Sequence, residues 1–330
     1  MRKSVLITGA SGFVGYHLIN EALAADLEVY AAVRANSDID HLKDFPIQYV
    51  HLNYSSVDEL LQVLSDKQFD YIIHAAGTTK AKSEDVYNEI NAGYTRNLAQ
   101  ASQLLSKPIE KFVFVSSLAA IGPLAVLNAQ IEDHTEAKPV TSYGKSKLLA
   151  ETYLQEIPGL PLVIIRPTAV YGPREKDLLI LFKSISKGIE PYIGSFKQQF
   201  SFVYVKDLVH IIVKALTLDT NHKSYNVSDG NVYNRYALAN VTKELLNKRT
   251  LKFHLPVVTV GALASLMDRL YKNKKETPTL NKEKMAELTA VNWTCNTQTM
   301  QVDFGFKPEF NLKRGLTETL NWYKVNNWLS

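Results

Sequence analysis

An α/β fold is predicted: a doubly wound parallel sheet with a smaller C-terminal α+β part. Three observations carry it. Six short, nearly continuously apolar runs alternate with helix-length segments through the first half of the chain. Strands buried on both faces read this way, and the connections are long enough for crossover helices of right-handed sense. A loop with glycines at 9, 12 and 15 joins the first run to the first helix. Beyond Pro167 the alternation becomes irregular, as expected where a second, smaller unit begins.

In chain order, the strands are expected at "SVLIT" from Ser4, "EVYAAVR" from Glu28, "IQYVHL" from Ile47, "YIIHAA" from Tyr71, "KFVFVSS" from Lys111 and "LVIIRP" from Leu162. Helices are expected near 13–25, 56–66, 84–106 and 143–157. In the last, Leu148, Leu149, Tyr153, Leu154 and Ile157 recur with helical spacing, and Thr141 or Ser142 is a cap. A helix near 206–217 and a short strand at "SYNVSDG" follow, and parts of 200–228 are expected to rejoin the first sheet. The helical "NKEKMAELTAV" and the aromatic "LTETLNWYKVNNWL" complete the smaller part, which makes 1–167 and 168–330 the expected division.

The bulk numbers narrow the function. At 330 residues, 46% hydrophobic and 21% charged, the chain is an ordinary globular protein with room for about two domains. The 37 basic and 33 acidic residues are scattered, without the clustered stripe of a nucleic-acid surface, so no nucleic-acid partner is expected. One cysteine, Cys295, suits a reducing, cytoplasmic setting. Histidines 17, 41, 51, 74, 134, 210, 222 and 254 show no metal-ligand spacing, and no metal is expected. The apolar "LPVVTVGALASLMDRLY" from Leu255 meets Asp268 too soon to span a bilayer and reads as a buried or surface-docked helix, without stable membrane insertion.

The glycine loop carries the first chemical signal. A sharp strand-to-helix turn, a close backbone approach to a pyrophosphate and tight helix–strand packing each call for a missing Cβ. The helix N-terminus adds free N–H groups, so a dinucleotide is the natural guest. After the second strand, Arg34 stands where a guanidinium can meet the 2′-phosphate of NADP, and NADP(H) is favoured over NAD(H). Asp38 and Asp40 are the alternatives that would bind a ribose. In "SYGKSKLLAE", Tyr143 and Lys147 lie one helical turn apart on one face.

With "TGASGFVG", "HAAG" at 74, "NAGYTRNL" at 91, "FVSS" at 114, "YGKSK" at 143 and "RPTAVYGP" at 166, the chain resembles an extended short-chain dehydrogenase/reductase over nearly its whole length. The resemblance implies a Rossmann sheet and a catalytic set of Ser117, Tyr143, Lys147 and Asn91. Tyr143 would exchange a proton with the substrate oxygen and Lys147 would lower its pKa from the usual value of about 10. Ser117 would fix that oxygen, with Ser116 the adjacent alternative because successive strand residues face opposite ways. Asn91 would position a backbone carbonyl or water behind Lys147. Around the cofactor the resemblance places Thr8, Gly9, Ser11, Gly12, Phe13, Val14 and Gly15. Asn53, where the family commonly has Asp, would meet adenine, and Ala75, Ala76, Gly77, Ser116 and Pro167 would line the rest.

Departures narrow the reaction. Leu118 and Ala119 follow Ser117 where the sugar-nucleotide dehydratases have Asp-Glu, and Cys295 is remote, so dehydration and Cys/His epimerase-reductase chemistry are disfavoured. Phe200 stands where many nucleotide-sugar enzymes place an Arg, among Tyr192, Ile193, Phe196 and Phe202, which favours an uncharged small-molecule substrate; Arg174 and Lys197 are the remaining phosphate partners. The style is that of the dihydroflavonol-reductase and 3β-hydroxysteroid-dehydrogenase side. The first expectation is an NADP(H)-dependent reductase or dehydrogenase, with a sugar-nucleotide epimerase and a non-catalytic dinucleotide sensor as alternatives. A homodimer through the 84–106 and 143–157 helices is the family default.

Overall fold

The computed structural model describes residues 2–271, 278 and 280–329. Its first half runs β1 (Ser4–Thr8), α1 (Phe13–Ala24), β2 (Glu28–Ala32), β3 (Gln48–Val50), α2 (Val57–Lys67), β4 (Tyr71–His74), α3 (Glu84–Tyr87), α4 (Tyr94–Gln103), β5 (Lys111–Val115), α5 (Ser142–Gln155) and β6 (Leu162–Pro167). There follow β7 (Ala169–Tyr171), α6 (Leu179–Ser186), β8 (Ile189–Ile193), β9 (Gln199–Phe200), β10 (Phe202–Tyr204), α7 (Val205–Lys214) and β11 (Lys223–Val227). The chain closes with β12 (Tyr233–Asn234), α8 (Ala237–Leu246), β13 (Leu251–Leu255), α9 (Val257–Tyr271), α10 (Lys282–Thr289), β14 (Asn292–Trp293), α11 (Gln298–Phe304) and α12 (Leu312–Val325).

The central sheet has seven strands in the order β11-β6-β5-β4-β1-β2-β3. Every pairing in it is parallel. Strand order reverses between β1 and β4, so a crevice opens at their C-terminal ends, where Thr8 and His74 are in register. Alternate residues feed two cores. Val5 and Ile7 pack with Leu18, Ile211 and Ile212 from α1 and α7, while Leu6, Ile72 and Phe114 pack with Leu60, Leu98 and Leu154 from α2, α4 and α5. Each such fully buried side chain contributes about 1.5–3 kcal/mol, which is why the runs are apolar throughout.

The predicted sheet is present, with β11 beside β6 at one edge. The smaller sheets are β7 with β10, β8 with β13, and β12-β9-β14. Aromatic Tyr171, Phe182, Tyr204 and Tyr323 build a separate core beneath α12. Two details differ from expectation. The second strand ends at Ala32, which leaves Arg34 on the following loop. The single helix expected over 84–106 is broken by a π-helical turn at Asn88–Gly93 and ends at Gln103. Such a wide turn occurs where a helix side chain is recruited elsewhere, and Asn91 is that residue here.

Candidate active site

The crevice is built first by backbone. Gly9 has φ +70°, and a Cβ there would lie 2.7 Å from the Ala75 carbonyl oxygen; one at Gly15 would lie 2.1 Å from that of Gly9. Both contacts are with backbone, which cannot swing aside, so α1 comes this close to the loop only with glycine at both places. Gly12 precedes α1 with no side-chain cap, and no acidic residue stands in the first turn. The N–H groups of Phe13 and Val14 therefore face the crevice without a side-chain cap, the donor set that a pyrophosphate requires. The cradle fits the phosphates of a dinucleotide.

Behind the loop a polar chain ties three elements together. Ala76 N donates to Thr8 Oγ1 (3.0 Å), Thr8 Oγ1 bonds His74 Nδ1 (2.8 Å), His74 Nε2 bonds Thr95 Oγ1 (2.8 Å), and Thr95 donates to the Asn91 carbonyl (2.7 Å). These directions are mutually consistent with the proton on Nε2. Burial holds the His74 pKa down to about 3, so the ring stays neutral. His74 was visible in "HAAG", but its role required knowing that Thr8 and Thr95 flank it.

Asn91 meets the backbone of the segment after β4. Its Oδ1 accepts from Thr78 N (2.7 Å), and its Nδ2 donates to the Thr78 carbonyl (3.0 Å) and to Ser146 Oγ (2.9 Å). Ser146 lies on α5 between Tyr143 and Lys147, so Asn91 couples the Gly77 strip to the Tyr-Lys helix. Thr141 caps that helix, accepting from Gly144 N at 3.0 Å.

Ser117, Tyr143 and Lys147 converge. Ser117 lies beside Tyr143, acting to lower its pKa, and accepts from Ala119 N (3.1 Å). Lys147 is buried, donates to the Val115 carbonyl (3.0 Å) and lies over the Phe114 ring. A Cβ at Gly77 would lie 3.4 Å from Lys147 Nζ, so the segment after β4 passes directly over the amine. Burial lowers the Lys147 pKa to about 8, with Glu151 opposing. Burial raises Tyr143 to about 12, opposed by Ser117 and assisted by Glu287. Among the chain's own groups desolvation outweighs the opposing effect of Ser117.

A pH dependence follows. In the fold the Lys147 pKa, about 8, lies below the ordinary lysine value of 10.5. Between those values the unfolded chain binds the extra proton, so stability rises with pH through that window. Denaturation midpoints of the cofactor-free protein should show this rise, and Lys147→Met should remove it. An unchanged profile in the variant would contradict the assignment.

The structure separates the two serines. Ser116 Oγ is turned away and donates to Glu151 Oε1 (2.5 Å), leaving only backbone to line a cofactor. Glu151 in turn holds Arg166 through Nε (3.1 Å) and Nη2 (2.5 Å). This buried pair escaped the sequence reading. Glu151 is one turn beyond Lys147, a visible spacing, but Arg166 belongs to another strand.

Other candidates are placed as follows. Arg34 is exposed beside the crevice and has no carboxylate partner among the described residues. Asp40 pairs with Lys43 (2.7 Å), and Asp38 accepts from Asp40 N (3.1 Å). Both ends of the Asn53 amide are engaged, by Glu59 and by Ser55 N, so its predicted contact with adenine competes with a local turn. Pro167 is the buried last residue of β6. Arg174 lies over the Tyr16 ring (4.3 Å) and so sits by α1 rather than by Tyr143. Lys197 is exposed, while Tyr192 and Phe196 enclose the Arg235 guanidinium and form packing rather than a cleft wall.

Around Ser117 the wall is apolar: Leu118, Ile121 and Trp293 pack together, and Trp293 is in register with Phe200 across β14 and β9. The charge that acts on Tyr143 from this side is Glu287, and Glu283 and Glu287 both act on neighbouring Tyr87. Among the described residues no group of three or more His, Cys, Asp or Glu could hold a metal.

Comparison with known proteins agrees with this geometry. The model of the NAD dependent epimerase/dehydratase family matches residues 5–228. A UDP-glucose 4-epimerase of Vibrio cholerae is 30% identical over 270 residues, covering 78% of this chain and 80% of that protein. A ceramide reductase of Caulobacter vibrioides is 26% identical over 99% of this chain and 96% of that protein. The crystal structure of a UDP-glucose 4-epimerase from Thermotoga maritima superposes with TM-score 0.80 at 18% identity, covering 98% of this chain and 99% of that one.

Proposed function

The chain belongs to the NAD dependent epimerase/dehydratase family, and from that premise we propose that it is an NADPH-dependent oxidoreductase that interconverts a carbonyl and a secondary alcohol on an uncharged, largely apolar substrate. The observation that carries the substrate class is the charge around Tyr143. Carboxylates, Glu287 (itself paired with Lys284 at 3.0 Å) and the nearby Glu283, act on this corner and disfavour a nucleotide diphosphate there. The partly buried Trp293 and Phe200 supply apolar surface instead, and a relative named ceramide reductase is matched end to end.

In this reading the glycine loop and the α1 N-terminus hold the cofactor phosphates, and Arg34 holds the 2′-phosphate. A bound nicotinamide cofactor supplies or takes the hydride and, when oxidised, adds positive charge to the pocket. Ser117 hydrogen-bonds the substrate oxygen and aims it at Tyr143. The Tyr143 hydroxyl gives its proton to that oxygen on reduction and takes it back on oxidation. Lys147, fixed by Val115 and passing under Gly77, holds the ribose side of the cofactor and favours the phenolate. Residues after 168 form the substrate-binding part, and two chains associate through α4 and α5.

Arg34→Ala is expected to raise KM for NADPH by about 10–100-fold, the worth of a charge-assisted phosphate contact, with little change for NADH. Equal effects on both cofactors would remove Arg34 from the 2′-phosphate. The overall reading is tested by denaturing purified protein, identifying any released nucleotide, and following NADPH oxidation with long-chain ketones. A sugar-nucleotide epimerase is the second reading, favoured by the 30% identical UDP-glucose 4-epimerase. Tightly retained NAD with turnover of a sugar nucleotide would establish it instead.

A further inference from the structure

The β13–α9 hairpin presents an apolar face that the fold does not cover. Along β13, Lys252 and His254 turn inward onto the Tyr236 and Tyr192 rings. Leu251 (73% exposed), Phe253 and Leu255 stand on the other side of the strand, exposed. In α9, Val260 and Ala264 pack inward with Met285 and Ile193. Leu263, Leu266 and Leu270, spaced as i, i+3 and i+7, are 50%, 51% and 58% exposed. An ordinary surface helix has the opposite pattern, with its leucines inside.

The charges carried by this segment itself are mainly basic, while Glu283 and Glu287 lie on the neighbouring α10. No acidic residue occurs from Leu245 to Met267, while Lys248 and Arg249 are exposed at the start of β13 and make no ion pair among the described residues. Arg269 is exposed near Leu266, and Asp268, the sole acid of α9, turns back to accept from Lys282 N (3.2 Å). No helix among the described residues is long and apolar enough to cross a membrane. An apolar helix face flanked by cations, too short to span, is the pattern of an element that lies in the interface of an anionic bilayer.

We infer that the β13–α9 face docks this protein onto the surface of an anionic lipid bilayer. A twofold copy of the chain is a poorer occupant, since it would bring the same basic rim to its own. The face also adjoins the site. α9 packs on α10, and Glu283 of α10 accepts from Ser142 N (2.9 Å), next to Tyr143. Docking would place the mouth of the cleft at the depth where an amphiphilic substrate resides; this link alone rests on the proposed function.

The test is cosedimentation of the full-length protein with vesicles of phosphatidylcholine alone or mixed equally with phosphatidylglycerol. Binding to the mixed vesicles is expected, falling as salt rises from roughly 0.1 to 0.5 M because the charges are exposed. The double variant Leu263→Glu/Leu266→Glu should lose at least about tenfold in binding, and so should Lys248→Glu/Arg249→Glu. The second pair lies wholly on the surface and reports even if the leucine variant does not fold. Three results would overturn the inference: no wild-type binding to mixed vesicles, undiminished binding by the charge-reversed variant, or a solution dimer that Leu266→Glu dissociates without any vesicle binding. Turnover is not the readout, so docking with no reduction of any lipid ketone would count against the proposed reaction and leave the docking intact.

Discussion

Tyr143→Phe is expected to lower kcat by about 10²–10⁴-fold, the usual contribution of a positioned proton donor, while the dissociation constant for NADPH stays near the wild-type value. The separation follows from placement. The phenol lies by Ser117 and Tyr87, whereas cofactor phosphates would be held by the glycine loop and α1. Loss of one neutral hydrogen bond costs only about 0.5–1.5 kcal/mol, so the variant should fold. Its pH profile is as informative as its rate. Tyr143 sits at about 12 from the protein's own groups, so wild-type oxidation of an alcohol should accelerate with pH as the phenolate is populated. That dependence should vanish in the variant. Retention of more than about a tenth of the wild-type rate would exclude Tyr143 as the proton donor.

The sequence revealed those parts of this site that depend on local spacing. Tyr143 and Lys147 share a helix face because they are four apart, and Gly9, Gly12 and Gly15 lie within one turn between strand and helix. Six of the seven sheet strands follow from apolar runs, because a strand buried on both faces has almost no freedom in composition. What stayed hidden depends on elements distant in sequence. Whether Ser116 or Ser117 faces Tyr143 is decided by a half-turn of strand geometry, and the structure settles where each hydroxyl points only through the partners of Ser116, Glu151 and Arg166. The bond of Asn91 to Thr78 and the π turn in which Asn91 lies join segments that sequence spacing does not connect. The apolar segment from Leu255 was recognisable as a helix too short to span a bilayer, but which of its side chains are buried depends on α10 and Ile193.

Arg166→Met is expected to destabilise the protein by about 3–5 kcal/mol, because it leaves the Glu151 carboxylate buried without its cation. The pair is 7% and 2% exposed at its two side chains, so water cannot replace the guanidinium. Its geometry is near ideal: Nε reaches both carboxylate oxygens at 3.1 Å and Nη2 reaches one at 2.5 Å. The pair also lies directly behind the chemistry, since Glu151 accepts from Ser116 on the strand leading to Ser117 and stands one turn from Lys147. Chemical denaturation of wild type, Arg166→Met and the double variant Arg166→Met/Glu151→Leu separates two roles. If the pair acts only as mutual compensation, the double variant should recover most of the lost stability, since replacing both charges with apolar groups is often neutral. If Glu151 also supports the charge on Lys147, the double variant should fold well yet show the Lys147-linked rise in stability starting at lower pH than in wild type, as the unsupported ammonium gives up its proton earlier. A single variant as stable as wild type would show that the guanidinium is dispensable beneath the site.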